Sequence, residues 1–259
     1  MNIIGIIPAR LASSRLPNKP LAEIIGMPMI GHVYLRSKMS LILQEVYVAT
    51  CDEEIKHFVE SIGGNAIMTS NSHERASDRT AEALLEIEKV TGKKMDIVVM
   101  IQGDEPMVTP EMISAAVQPL LDSTSLQITN LMENIETQED HEDPAEVKVV
   151  VDKNNNALYF SREPIPSRKK GGLNIPMLKQ VCIIPFRRDF LLKYNEMEQT
   201  PLEIIESVDM NRLLENGIQI KMVMRDEITL AVDTQEDLNR VNELMRKDKL
   251  IEKYLSNGL

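Results

Sequence analysis

The feature that most limits what this chain can become is an alternation, over its first hundred residues, of short apolar β-branched runs with segments of helical period. The runs at 3–7, 46–49 and 97–101 are continuous rather than alternating, as strands covered on both faces require. Between them, 28–39 carries Met29, Ile30, Val33 and Met39, 54–62 follows, and 76–87 places Ala83, Leu84 and Ile87 on one face, the spacing of an amphipathic helix. Strand, helix, strand, helix predicts right-handed crossovers and an α/β fold with a mostly parallel sheet flanked by helices.

Further on the pattern changes. From about residue 125 to 151 strand-like segments follow one another more closely, with runs at 147–151 and 181–184. The stretch 164–176 (PIPSRKKGGLNIP) has no periodic apolar pattern and reads as a mobile loop, a candidate lid. Helices are expected at 202–216, closing on Asn216-Gly217, and at 234–245, where Leu238, Val241, Leu244 and Met245 share a side. There is no internal repeat. The expected organisation is one domain, 1–259, with a small β-rich inserted lobe at about 147–186.

Composition narrows the function. At 259 residues, 43% hydrophobic and 27% charged, the chain can bury a large core without staples. Its two cysteines, Cys51 and Cys182, belong to no CxxC or Cys/His cluster, which excludes a disulfide framework and a structural zinc site. No run reaches the roughly 18 apolar residues of a membrane span, and the amino terminus enters a strand-like segment rather than a signal core. A cytoplasmic protein without a membrane partner is expected. The net charge of -11 argues against a nucleic-acid partner, which would demand a basic face. Against that background the first 22 residues carry only Arg10, Arg15 and Lys19 as charges. That wholly cationic segment predicts an anionic ligand.

In open α/β sheets ligands bind beyond the carboxyl ends of the strands, and four segments qualify. The first is the loop 8–20 (PARLASSRLPNKP), which has neither a P-loop nor a GxGxxG pattern. Its three cations, five and four residues apart, can still converge on a polyphosphate; the alternative is a solvated basic loop. The second is Gln102-Gly103-Asp104-Glu105-Pro106, directly after an apolar run. Asp104 there is placed to hold a magnesium ion whose other oxygens come from substrate phosphates, with Gly103 permitting close backbone approach. The alternatives are an ordinary turn aspartate, or Glu105 as the ligand. The third is 231–237 (AVDTQED), in which Thr234 and Asp237 form a capping box and Asp233, one residue too early to cap, is a second candidate carboxylate for the same ion. The fourth is 68–79 (MTSNSHERASDR), a polar loop entering a helix with Arg75 and Arg79 one turn apart. His73 reads as a surface loop histidine, and His32, His57 and His141 have no partner pattern.

Taken together these segments resemble the CMP-Kdo synthetases, the 3-deoxy-manno-octulosonate cytidylyltransferases. The likeness runs through IIPARLASSRLPNKPL, GMPMIGHV, VYVAT, GGNAIMTS, the SDR of 77–79, IQGDEPMV, VKVVVD, ALYFSREPIP, the PLE of 201–203 and AVDTQEDL. It implies a Rossmann-like nucleotidyltransferase fold and magnesium-dependent transfer of CMP from CTP to Kdo or a close analogue, releasing pyrophosphate and serving lipopolysaccharide or capsule synthesis. It also implies a homodimer. Arg10, Arg15, Lys19 and Asp104 would carry catalysis. The nucleotide would lie among Pro8, Ala9, Arg10, Ser13, Arg15, Lys19, Thr69, Arg79 and Gln102; the acceptor would meet Arg10, Gln102, Gln180 and Glu206; Asp104 and Asp233 would hold Mg2+. Phosphoryl transfer of this kind needs little covalent chemistry from the protein, so no nucleophilic side chain is required.

The departures fall mainly on the acceptor side. Where the family usually carries an HxGxYxYR-like strand, residues 180–187 read QVCIIPFR; the family's SG before T(D/E)R is Arg75-Ala76; and after PLE the helix reads IIESVD, keeping Glu206. A site built on hydrogen bonds rejects molecules lacking the matching groups strongly, so the alternative is the same transfer to another acceptor, such as an amino-Kdo, another ulosonic acid or a phosphorylated small molecule. A nucleotide-binding protein without catalysis is a third reading, and the retention of both Asp104 and Asp233 speaks against it. The enzymatic reading requires those two aspartates to meet.

Overall fold

The structure, a computed structural model, describes residues 1–13, 15–169, 176–227 and 229–255. It divides into two compact units, Met1–Ser114 with Thr229–Leu259, and Ala115–Ile228. The second is wider than the 147–186 lobe marked in the sequence.

The first unit opens with β1 (Ile3–Ala9), the small hairpin of β2 (Glu23–Ile24) and β3 (Met27–Pro28), α1 (Met29–Lys38), β4 (Glu45–Thr50), α2 (Glu53–Ser61), β5 (Asn65–Met68), α3 (Ala76–Thr91) and β6 (Ile97–Ile101). Strands pair in the order β6, β1, β4, β5, every pair parallel. All residues of β1 and β6 are buried, which is why their sequences are apolar without alternation. Parallel pairing sets Ala9 beside Thr50 and Thr50 beside Met68, so the loops that follow these strands leave from one edge.

Helix α4 (Pro110–Asp122) leads into the second unit. There follow β7 (Thr129–Asn134), α5 (Gln138–Glu142), β8 (Lys148–Val151), β9 (Ala157–Ser161), β10 (Leu178–Val181), β11 (Ile183–Arg187), α6 (Arg188–Asn195), α7 (Pro201–Glu206), α8 (Met210–Glu215) and β12 (Lys221–Arg225). A sheet runs β12-β7-β10-β8-β9, antiparallel except where β12 joins β7. Leu131, Val149, Phe160, Val181 and Met222 are buried, and Phe186 stacks on Tyr194 with ring centroids 6.0 Å apart.

The structure departs from the sequence pattern at two single residues, Cys182 and Ser207. The run 181–184 is two strands, broken at Cys182 between β10 and β11. The helix expected at 202–216 is two, because Ser207 takes a left-handed conformation (φ 53°) that ends α7. The second does close at Asn216-Gly217, where Gly217 has φ 70°, a conformation glycine adopts without strain. Of the 164–176 loop, residues 170–175 lie outside the described residues, and with them the candidate lid.

The chain then returns to the first unit through α9 (Gln235–Met245), opened by the predicted Thr234–Asp237 capping box, and α10 (Glu252–Leu255). Leu230, Val232, Leu238, Val241, Met245 and Ile251 pack with Leu16, Ile24 and Met29 in one cluster. Burying Leu16 there stabilises by about 1.5–3 kcal/mol and anchors the cationic loop between Arg15 and Lys19. Buried polar groups lock the same contact. The His32 Nε2–H donates to the Ile24 carbonyl, so Nδ1 accepts from the Tyr254 hydroxyl, both at 2.7 Å. Arg36 donates to the Val108 carbonyl at 2.6 Å and to Asp248 Oδ2 at 2.7 Å.

Candidate functional site

Loops at the carboxyl edge of the first unit's sheet, together with the returning chain, line one cavity of about 350 Å3. β1 delivers Pro8, Ala9, Arg10, Ser13, Arg15 and Lys19; β6 delivers Gln102, Gly103 and Asp104; the entry to α3 delivers His73, Glu74, Arg75 and Arg79; the returning chain delivers Asp233. Five cationic side chains face three carboxylates, so the lining favours an anionic guest.

The distant aspartates do meet. Val232 N–H donates to the Asp104 carbonyl at 3.0 Å, which sets the two carboxylate-bearing segments side by side. Lys19 Nζ then lies 2.7 Å from Asp104 Oδ2 and 2.9 Å from Asp233 Oδ1, and Arg15 Nη2 lies 3.0 Å from Asp233 Oδ2. Burial disfavours the Lys19 charge, but Asp104 and then Asp233 outweigh it and hold the ammonium above the ordinary lysine value. Lys19 reaches this position because Asn18 turns the chain with φ 56°, a left-handed conformation that Asn tolerates. Gly103 is required by proximity: a Cβ there would lie 3.0 Å from the Pro8 carbonyl oxygen.

The donor set suits a hard divalent cation. Two carboxylates from different segments converge within reach of one nitrogen, and among the described residues no group of three or more His, Cys, Asp or Glu side chains could hold an ion alone. Magnesium is commonly held in this manner, by one or two carboxylates with substrate phosphates and water completing the shell. Glu105, the alternative ligand, is buried and does not line the cavity.

At the other wall, Arg79 is buried and donates Nη1 to Thr69 Oγ1 at 2.6 Å and to the Ser70 carbonyl at 3.2 Å. Its Nη2 is buried with no hydrogen-bond partner among the described residues, a donor left for a ligand. Arg10 is exposed and reaches the His73 carbonyl at 3.3 Å. Ser13 Oγ accepts from Leu16 N–H at 3.4 Å, shaping the loop.

Sequence reasoning missed two supports. Asp52 Oδ2 accepts from Leu11 N–H at 2.7 Å and holds the cationic loop against the end of β4. Glu82 accepts from Ser70 N–H at 3.0 Å and pairs with His73 Nε2. Burial works against the Glu82 charge, yet the Ser70 and His73 hydrogen bonds outweigh it and hold the carboxyl below its ordinary value. Glu82 stands three residues after Arg79, on the same helix face, and that spacing was the available signal. His73 is thus half-buried and tied to α3, rather than a solvated loop histidine.

The acceptor-side candidates behave differently. In the second unit, Glu206 accepts from Tyr159 Oη at 2.8 Å, Ser161 Oγ at 2.9 Å and Arg162 N–H at 2.9 Å, and Gln180 Nε2 donates to Asn130 Oδ1. Glu206 is therefore an internal acceptor that ties β9 to α7.

Comparison with known proteins identifies the family. The profile of the family described as Cytidylyltransferase matches residues 4–221. The chain is similar to the 3-deoxy-manno-octulosonate cytidylyltransferase of Geotalea uraniireducens (strain Rf4), with 42% identity over 257 residues, covering 95% of this chain and 100% of the relative. It is similar to the enzyme of the same name from Fusobacterium nucleatum subsp. nucleatum, with 42% identity over 250 residues, covering 96% and 99%. Among solved structures it resembles a CMP:2-keto-3-deoxy-manno-octonic acid synthetase complexed with CTP, with TM-score 0.86, 38% identity, and 95% of this chain and 99% of that chain covered.

Proposed function

Because the chain belongs to the cytidylyltransferase family, we propose that it transfers the cytidylyl group of CTP to 3-deoxy-manno-octulosonate (Kdo), releasing pyrophosphate. The observation that carries this reading is the junction of Lys19, Asp104 and Asp233 at a cavity rich in cations. Full-length relatives carrying the Kdo name, at about 40% identity, favour Kdo over another acceptor despite the changes at 180–187 and Arg75.

Asp104 and Asp233 would hold Mg2+, which supplies charge neutralisation at the phosphate oxygens and makes the phosphorus more electrophilic. The rest falls to the chain's own side chains. Arg15 and Lys19 bind the triphosphate, Lys19 as a point charge and Arg15 through its forked donors. Arg79, whose guanidinium is held by Thr69, frames the nucleoside with Pro8 and Ala9; Thr69 itself, expected at the nucleotide, is buried and does not line the cavity. Arg10 and Gln102 orient the sugar acid so that its anomeric oxygen lies in line with the α-phosphorus. The new O–P bond forms there, the bond to the β-phosphate oxygen breaks, and pyrophosphate carries away the electron pair, its charge met by the cations of the loop. The acceptor proton passes to water or to a nearby carboxylate. A cytoplasmic location, where CTP is made, is part of the same proposal. Among the described residues no helix is long and apolar enough to cross a membrane. We assign the exposed Leu158, Ile204 and Ile205 of the second unit to a homodimer interface.

The test is incubation with CTP, Mg2+ and Kdo, with pyrophosphate release and mass of the CMP-sugar as readouts. Turnover with Kdo, lost at least a hundredfold in Asp104→Ala, is expected. Turnover only with another acid would overturn the acceptor, and an active Asp104→Ala would overturn the metal role.

A further inference from the structure

The proposed function gives Asp104 and Asp233 to a divalent ion, yet both carboxylates already have a cation. The Lys19 ammonium sits between Asp104 Oδ2 and Asp233 Oδ1 at 2.7 and 2.9 Å, on a side chain only 15% exposed. Arg15 takes the other oxygen of Asp233. Two negative charges thus face two positive ones, and the gap that an ion bridging the aspartates would need holds a nitrogen.

We propose that Lys19 is a place-holder cation: it neutralises the aspartate pair in the nucleotide-free protein and yields it to the divalent ion only when a triphosphate arrives to take the ammonium. This rests on the reading of Asp104 and Asp233 as the ion's carboxylates, and goes beyond it by fixing an order of binding. Magnesium gives up its water reluctantly and is held weakly by one or two carboxylates without phosphate oxygens. A competing ammonium within hydrogen-bonding distance of both carboxylates weakens that hold further. Lysine suits the exchange, because its ammonium has three rotatable donors on a flexible four-carbon stem and a triphosphate offers it a partner of higher charge. Arg15, 56% exposed, can follow without leaving a buried charge behind. By linkage, nucleotide and ion then each raise the other's affinity by the same factor.

The test measures Mn2+ binding by the electron paramagnetic resonance of free Mn2+, on the purified full chain without nucleotide. Lys19→Met is expected to bind Mn2+ at least roughly tenfold more tightly than the unsubstituted protein, since an attractive competitor within about 3 Å is removed. Lys19→Arg, which keeps the charge, is expected to bind as weakly as the parent. A non-hydrolysable CTP analogue should tighten Mn2+ binding at least roughly tenfold in the parent and far less in Lys19→Met. Lys19→Gln carries the same expectation should the Met variant not fold. A folded Lys19→Met or Lys19→Gln that binds Mn2+ no better than the parent overturns the place-holder. Asp104→Asn separates the two readings: if it abolishes Mn2+ binding with the CTP analogue while the Lys19 variants change nothing, only the place-holder fails. If Asp104→Asn changes nothing either, the metal assignment fails as well.

Discussion

Acidification should loosen the seam between the cationic loop and the C-terminal helices, and His32 is the group through which this happens. The imidazole is fully buried. Burial first, with the nearby Arg36 guanidinium adding to it, pulls its pKa from 6.5 down to about 4. Above pH 6.5 neither the folded nor the unfolded chain protonates this residue, so its contribution is complete. Between 6.5 and 4 the unfolded chain takes up a proton that the native one refuses, and stability falls with pH. From pH 7.5 to 5.0 that difference amounts to about 2 kcal/mol, which is roughly 4–8 °C in Tm for a protein of this size. His32→Gln keeps an N–H for the Ile24 carbonyl but cannot titrate. Urea unfolding of both proteins at the two pH values gives the comparison. The parent should lose about 2 kcal/mol more than the variant on acidification; equal losses would refute the assignment of the acid sensitivity to His32.

Two further outcomes follow from other contacts. Glu82→Gln removes the charge that secures Ser70 and His73, and with it the carbonyl that Arg10 reaches, so kcat/KM for CTP should fall about tenfold while Tm moves by a few degrees at most; steady-state kinetics and a melting curve check both. Arg212→Met strands the buried Glu203 carboxylate, which Arg212 now meets at 2.6 and 2.8 Å, and should cost about 3–5 kcal/mol in urea unfolding, with much of it recovered when Glu203→Met is added.

The parts of the site visible in the sequence were those whose chemistry lies in a side chain at a strand end. Arg10, Lys19, Asp104 and Asp233 could be found because a buried parallel sheet announces its strands and because ligands gather beyond their carboxyl ends. That Asp104 and Asp233 share a partner was a requirement the sequence could state but not demonstrate, since it depends on the backbone bond from Val232 to Asp104. Asp52 and Glu82 escaped notice because they act on main-chain N–H groups, which leave no mark in a side-chain pattern. The α4 helix was overlooked for another reason: Pro119 lies inside it and breaks the expected periodicity, although Thr109 before Pro110 is a sound helix start, its hydroxyl accepting from Met112 N–H at 3.1 Å. Local conformation defeated the reading at Ser207 and Cys182, where a single residue interrupts a pattern that continues on either side.

The seam made by Leu16 with Val232 and the last helices also bears on how the protein is synthesised. Asp104 leaves the ribosome long before Asp233, by roughly 6–25 s at about 5–20 residues per second. Through that interval Leu16, Ile24 and Met29 lack the apolar cover that α9 will bring, and Asp104 lacks its counterpart. Binding competence therefore arrives in a single late event, when the returning chain docks, and a product interrupted within the second unit would emerge with its nucleotide loop unanchored.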